Sequence, residues 1–181
     1  GAGAVLDYYH VQRQPMSAYH VASTAARLSR DAALTSHVFS LGARLSRHDL
    51  SIELAAEGAN CVLSGLSFLS GSQHADHHTF VDHAMPHGTS DQLYKGVYAG
   101  RSRGVFTGKV AVREDAQKTV AHQKNRNLLL SEEALVDTQP QLEIRADDVR
   151  CTHGATIGQL DDDQLFYLRS RGLSERDAKR V

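Results

Sequence analysis

From Val5 to about Ile157 this chain offers no helical period of useful length. It is written instead in short stretches rich in Val, Leu, Ile, Phe, Tyr and Thr, broken every several residues by Gly, Ser, Asn or Asp. Apolar and polar residues alternate in Leu50, Ile52 and Leu54 against Ser51 and Glu53, in Leu66 and Phe68 against Ser67, and in Leu142 and Ile144 against Glu143 and Arg145. A period of two puts each apolar set on one strand face, so each segment is expected to bury that face and wet the other. Doubly wound parallel folds need crossover helices, and none is legible here, which leaves a sandwich, a barrel or a β-solenoid. Gly-Ala corners recur at Gly1-Ala2, Gly42-Ala43 and Gly58-Ala59, but at unequal spacing, and no strict repeat period emerges.

One segment discriminates further. In AHQKNRNLLLS, residues Gln123, Asn125 and Asn127 share the strand face of Leu129, which places amides where a core is expected. Inward amides are tolerated if they stack in ladders between successive parallel strands about 4.8 Å apart, an arrangement a solenoid provides and a sandwich does not. The competing reading is a strand whose amide face is outside and whose leucines open a different element.

The grammar changes after Gly158. Asp161 stands three residues before Gln164, a capping box, and Leu165, Phe166 and Leu168 follow before Gly172, a helix stop. This predicts a helix from about Asp162 to Arg171, and Ser174 with Asp177 three residues on predicts the start of a second. The chain lacks an initiator Met and SERDAKRV stops inside that helix start, so it reads as a fragment of a longer protein.

Twenty Lys and Arg against twenty-one Asp and Glu leave a net charge of −1, so there is no global basic field for nucleic acid or an anionic membrane. No apolar run approaches the roughly 18 residues of a membrane helix, and GAGAVLDYY lacks the basic-then-apolar order of a signal peptide. Two cysteines ninety positions apart, Cys61 and Cys151, form no disulfide framework, and a reducing cytoplasm fits them best. The eleven His make charge and metal affinity sensitive to mildly acidic pH.

Three stretches could carry chemistry. HADHHTFVDHAMPH places His74, Asp76 and His78 on one side of a strand, a set that suits zinc or iron and would make the chain a His-rich metal-dependent β-fold enzyme. Histidine and Asp at strand ends more often satisfy backbone groups. Cys151 and His153, two apart, also share a face and can chelate a borderline metal together, but two ligands leave a tetrahedral shell incomplete, so another chain or an incoming sulfide would have to finish it. A core cysteine is the plain alternative, and a Cys-His nucleophile lacks a visible third residue or oxyanion loop. GRSRGVFTGKV has no phosphate-loop spacing, since Val110 follows Lys109, and no aromatic platform for nucleic acid; Arg101, Arg103 and Lys109 read as a solvated strand face.

The tracts QLYKGVYAGRSRGVFTGKVAVREDAQKT and NRNLLLSEEALVDTQPQLEIRADDVRCTHGATIGQLDDDQLFYLRSRGLSERDAK, from about Gln92 to Lys179, closely resemble the SufB/SufD family of iron-sulfur cluster assembly proteins. Cys151-Thr152-His153-Gly154-Ala155-Thr156 resembles the SufD branch, since SufB proteins tend to carry a Glu-His-Glu-Ala-Thr-like sequence there. The first ninety residues carry weaker motifs, through HADHHTFVDH and His83.

The resemblance implies a right-handed parallel β-helix over 1–158 and, from 159 to 181, the truncated start of a helical subdomain. It also implies a non-catalytic scaffold working with a SufB-like subunit and a SufC-like ATPase, which supplies ATP hydrolysis. The unpaired strands that a truncated solenoid would expose make a homodimer a further candidate assembly. Iron or an iron-sulfur cluster would be held transiently in the complex and not by the isolated chain. By position, Cys151 and His153 would be candidate ligands near the SufB-facing strand, and Leu165, Phe166 and Arg169 would belong to the ATPase-docking helix. The family's N-terminal helical region is absent here and the second C-terminal helix is incomplete.

Overall fold

A computed structural model describes residues 1–159 and 161–178 of the chain. Eleven strands run β1 (Val5–Gln12), β2 (Tyr19–Leu28), β3 (Ala33–Ser40), β4 (Leu45–Leu54), β5 (Asn60–Leu69), β6 (His74–His83), β7 (Thr89–Tyr98), β8 (Arg103–Val112), β9 (Val120–Leu129), β10 (Leu135–Ile144) and β11 (Arg150–Gln159). Two helices follow, α1 (Asp162–Ser170) and α2 (Glu175–Ala178). Odd strands form one parallel sheet in the order β1-β3-β5-β7-β9-β11, and even strands a second in the order β10-β8-β6-β4-β2. Each coil therefore lays one strand in each sheet and climbs one strand spacing, which is a β-solenoid of about five coils.

Strand length is nearly constant while the bends are not. Tyr19 pairs with Leu45 but Arg103 with Leu135, so the offset between neighbouring coils runs from 26 to 32 residues. That drift hides the repeat from a search for a fixed period. What recurs is a corner: Gly3, Asp31, Gly58, His87 and Lys118, each two residues before an odd strand, all have positive φ between 54° and 73°. Each donates its backbone N–H to the next coil, Gly3 to Arg30 O at 2.9 Å, Asp31 to Glu57 O at 3.1 Å, His87 to Gln117 O at 2.9 Å and Lys118 to Asp148 O at 2.7 Å. Non-glycine residues accept about 1 kcal/mol of strain to keep that column of turns.

The two sheets face each other across one interior. Ile52, Leu54, Leu63, Val81 and Val110 are fully buried there, each contributing about 1.5–3 kcal/mol by leaving water. Aromatic rings fit because glycines face them: a Cβ on Gly65 would stand 2.1 Å from Cδ1 of Tyr94, whose ring packs 4.9 Å from that of Phe106. The interior is also strongly polar. Ser36, Ser40, His48, Ser67, His77, Thr79, His83, Ser90 and Gln92 are all buried.

Gln123, Asn125 and Asn127 do point inward with Leu129. Only Gln123 has an amide, Gln92, as its register neighbour, so the ladder is partial. Asn125 instead donates to the Tyr94 carbonyl at 3.2 Å and accepts from Asn127 at 2.6 Å.

The alternation at Leu66 and Phe68 is real but inverted. Ser67 is 2 % exposed while Phe68 is 57 % exposed, because Ser67 Oγ lies 3.0 Å from Nε2 of the inward His77. A period of two shows that faces differ, not which one is inside. Ile144 is 42 % exposed, since β10 is the last strand of its sheet and among the described residues no coil covers it.

The helical end follows the local signals. Asp161 accepts from the backbone N–H of Asp163 and Gln164 at 2.9 and 3.3 Å, and Gly172 follows the last turn with φ +94°. Ser174 Oγ accepts from the Asp177 N–H at 3.1 Å and opens α2, against which α1 packs.

Candidate functional site

Strand β11 is the last of its sheet. It pairs with β9 in register, Cys151 beside Ala121, His153 beside Gln123 and Ala155 beside Asn125, and on its other side no strand follows among the described residues. Alternation turns Cys151 and His153 the same way as Ala121 and Gln123, into the interior. Because no further coil closes over them, Cys151 is half-buried and His153 exposed. They line one lip of an open mouth. The other lip is β10, also unpaired on its outer edge among the described residues, whose Leu142 packs against the same core as Cys151.

Burial pushes the Cys151 thiol above its ordinary value, and a hydrogen bond from the Ala121 backbone draws it part of the way back. Cys61 lies in the same inner column, through Ser90 and Ala121, three strand spacings or about 14 Å away. It is fully buried, with its thiol pushed up to about 12 first by desolvation and then by Asp91. Both thiols are free and that separation forbids a disulfide between them.

His74, Asp76 and His78 share a face, as alternation requires, and it is the outer one. Asp76 is engaged there: Arg47 donates to its Oδ2 at 2.8 Å while holding Asp49, and His78 Nε2 lies 2.9 Å from its Oδ1. Among the described residues no three His, Cys, Asp or Glu side chains come together to hold a metal ion. Arg103 and Lys109, on the outer face of β8, are paired with Asp137 and Glu143 across the sheet.

On α1, Leu165 is half-buried, while Phe166 is 71 % and Tyr167 57 % exposed, and Arg169 is exposed in the last turn. The helix therefore presents two aromatic rings and a cation to solvent. Tyr167, with the Arg171 guanidinium 5.2 Å from its ring centre, joins the residues singled out from sequence.

Sequence reasoning missed the interior imidazoles. His10 and His20 approach Nε2 to Nε2 at 3.2 Å, His48 stacks on His10 with ring centres 5.0 Å apart, and His77 takes the hydroxyls of Ser40 and Ser67. Burial pushes His48 down to about 4 and His77 to about 3. No local signal joins these residues: register sets His48 beside His77 within one sheet, and the other contacts form across the interior between the two sheets.

Among the described residues no helix is long and apolar enough to cross a membrane. The family model for the SUF system FeS cluster assembly SufBD core domain matches residues 1–181. An iron-sulfur cluster assembly SufBD family protein of Synechocystis is 40% identical over 181 residues, covering 100% of this chain and 40% of its own length. The iron-sulfur cluster assembly protein SufD of Escherichia coli is 38% identical over 180 residues, 99% of this chain and 43% of that protein. The chloroplastic protein ABCI7 of Arabidopsis thaliana is 35% identical over 179 residues, 98% of this chain and 38% of its own. This chain thus spans about two fifths of the length of the curated relatives it matches. A parallel solenoid whose whole length matches that domain belongs to the SufBD core family of the SUF system for iron-sulfur cluster assembly.

Proposed function

We propose that this chain is the core of a SufD-like, non-catalytic scaffold subunit that holds iron and sulfur as cargo during cluster assembly. The observation that carries the reading is the placement of a thiol and an imidazole, Cys151 and His153, on one inward-turned face at the open end of the solenoid. Two such ligands bind iron incompletely and release it readily, and a second protein docked on the mouth would finish the coordination shell.

The unpaired edges of β10 and β11 suit a SufB-like partner that adds its own strands, and a second copy of this chain could use the same edge to make a homodimer. Leu165, Phe166 and Arg169 on α1 suit docking of a SufC-like ATPase, which would supply the ATP hydrolysis. The two free cysteines fit a reducing, cytoplasmic setting. The test uses the full-length protein: it should co-purify with an ATPase and a related β-rich subunit. Cys151→Ala with His153→Gln should leave that complex assembled but lower its iron and sulfide content. Normal cluster maturation by the double variant would overturn the assignment of the pair.

A further inference from the structure

We propose that Gln123 is a positioning residue for His153, its side-chain oxygen accepting the imidazole N–H so that the other ring nitrogen keeps its lone pair for iron; this rests on the reading of Cys151 and His153 as the iron-contacting pair. Gln123 is 1 % exposed, and neither its Oε1 nor its Nε2 has a hydrogen-bond partner among the described residues. Leaving a buried donor or acceptor unpaired costs about 1–3 kcal/mol per group, and a leucine would fill the same volume without that cost. An amide in this state stands ready for a partner.

His153 is the register neighbour of Gln123 on β11, one strand spacing of about 4.8 Å away and on the same face. The two asparagines farther along β9 are engaged: Asn125 bonds the Tyr94 carbonyl and Asn127. On the opposite face, His122 bonds Thr152 at 2.8 Å and does not compete.

The amide has a built slot. A Cβ on Gly108 would stand 2.4 Å from Gln123 Nε2, so glycine at that position is what admits the side chain. Behind it, on β7, lies Gln92, itself fully buried, with Oε1 accepting from Thr79 at 2.8 Å and Nε2 without a partner among the described residues. Gln92 Oε1 has a second lone pair for Gln123 Nε2, which would fix the amide with its oxygen toward His153. Metal-binding imidazoles need such an acceptor on the distal nitrogen to set tautomer and ring orientation, and losing it typically lowers metal affinity about 10–100-fold.

The experiment uses the full-length chain labelled with nitrogen-15 at histidine, at alkaline pH where the neutral ring is observed, with His153 assigned by the His153→Gln variant. The expected result is a single His153 tautomer in the unsubstituted protein and a mixture of both in Gln123→Leu and Gln123→Met, at a melting temperature no lower than that of the starting protein. In the complex with the SufB-like subunit, Co(II) titration should weaken about 10–100-fold in both variants and be restored in Gln123→Glu, which keeps an acceptor oxygen. An unchanged His153 tautomer in folded Gln123→Leu or Gln123→Met overturns the proposal. If His153→Gln lowers cluster loading while the Gln123 variants leave tautomer and Co(II) affinity untouched, only the positioning role fails. If His153→Gln loads clusters normally, the reading of the iron-contacting pair fails instead.

Discussion

Nε2 of His77 lies 3.0 Å from the hydroxyl of Ser67, a bond that spans the interior from one sheet to the other. Ser40 reaches the same nitrogen from the neighbouring coil at 3.3 Å. The interior is thus stitched by neutral imidazole, and that has a consequence for acid stability.

Desolvation first, then neighbouring histidines, holds His77 at about 3 and His48 at about 4, while desolvation holds His83, bonded to Ser90 at 2.8 Å, at about 4, all below the ordinary 6.5. As pH falls below 6.5 the unfolded chain takes up protons that the folded chain refuses, so stability is intact above that value and is lost on the way down to about 4 for His48 and His83 and to about 3 for His77. Urea unfolding across this range should show a slope of up to about 1.4 kcal/mol per pH unit for each such histidine. His77→Phe should flatten the curve by roughly one proton; a curve parallel to that of the unsubstituted protein would count against this account.

The two thiols should differ in reactivity. Iodoacetamide at neutral pH should label Cys151 in the folded protein and leave Cys61 untouched until denaturant is added, since Cys61 is sealed in the core and Cys151 is half-open at the mouth. Mass spectrometry after proteolysis reads both sites, and rapid native labelling of Cys61 would contradict the burial described.

At the corner column, His87 is exposed and holds φ +58°. His87→Gly should raise stability by about 1 kcal/mol, a rise of about 2–4 °C in Tm. Gly58→Ala, at φ +73° on the same column and with its Cβ 2.2 Å from Asp31 Oδ1, which would have to move aside, should lower it by at least a similar amount. Calorimetry of the pair tests the column directly, because the two substitutions must have opposite signs.

Gly65→Ala addresses the packing of the core. Its new methyl would meet the ring of Tyr94, 3 % exposed and hemmed in by His77 and Phe106, so the ring cannot swing clear. A loss of about 1–3 kcal/mol is expected from overpacking. Chemical denaturation with no change in stability would mean that the ring has room that the contacts deny.

What could be read ahead of the structure was what lies close along the chain. The Asp161 cap and the Ser174–Asp177 pair are settled within three residues, and Gln123, Asn125 and Asn127 were legible as one face shared with Leu129, though which side of the sheet that face takes was settled only by the structure. Leu66 and Phe68 misled, since nothing local says that Ser67 will be claimed by a histidine ten residues on. The His74–His83 tract was split by the pleat into an outer set, His74, Asp76 and His78, and an inner pair, His77 and His83. Gln123 was legible as sharing a face with Leu129 but not as a neighbour of His153, because that pairing comes from register across thirty residues.

Coils that differ in length yet keep their strands in step make the rod a ruler graduated in strand spacings. Extra residues spliced into a bend, for instance between Val112 and Val120, would bulge sideways and leave its height unchanged. Duplicating one whole coil would lengthen it by about 4.8 Å and carry Cys151 and His153 that much farther from the first strand. The reach of the molecule is set by how many coils it has, and changes only in whole steps.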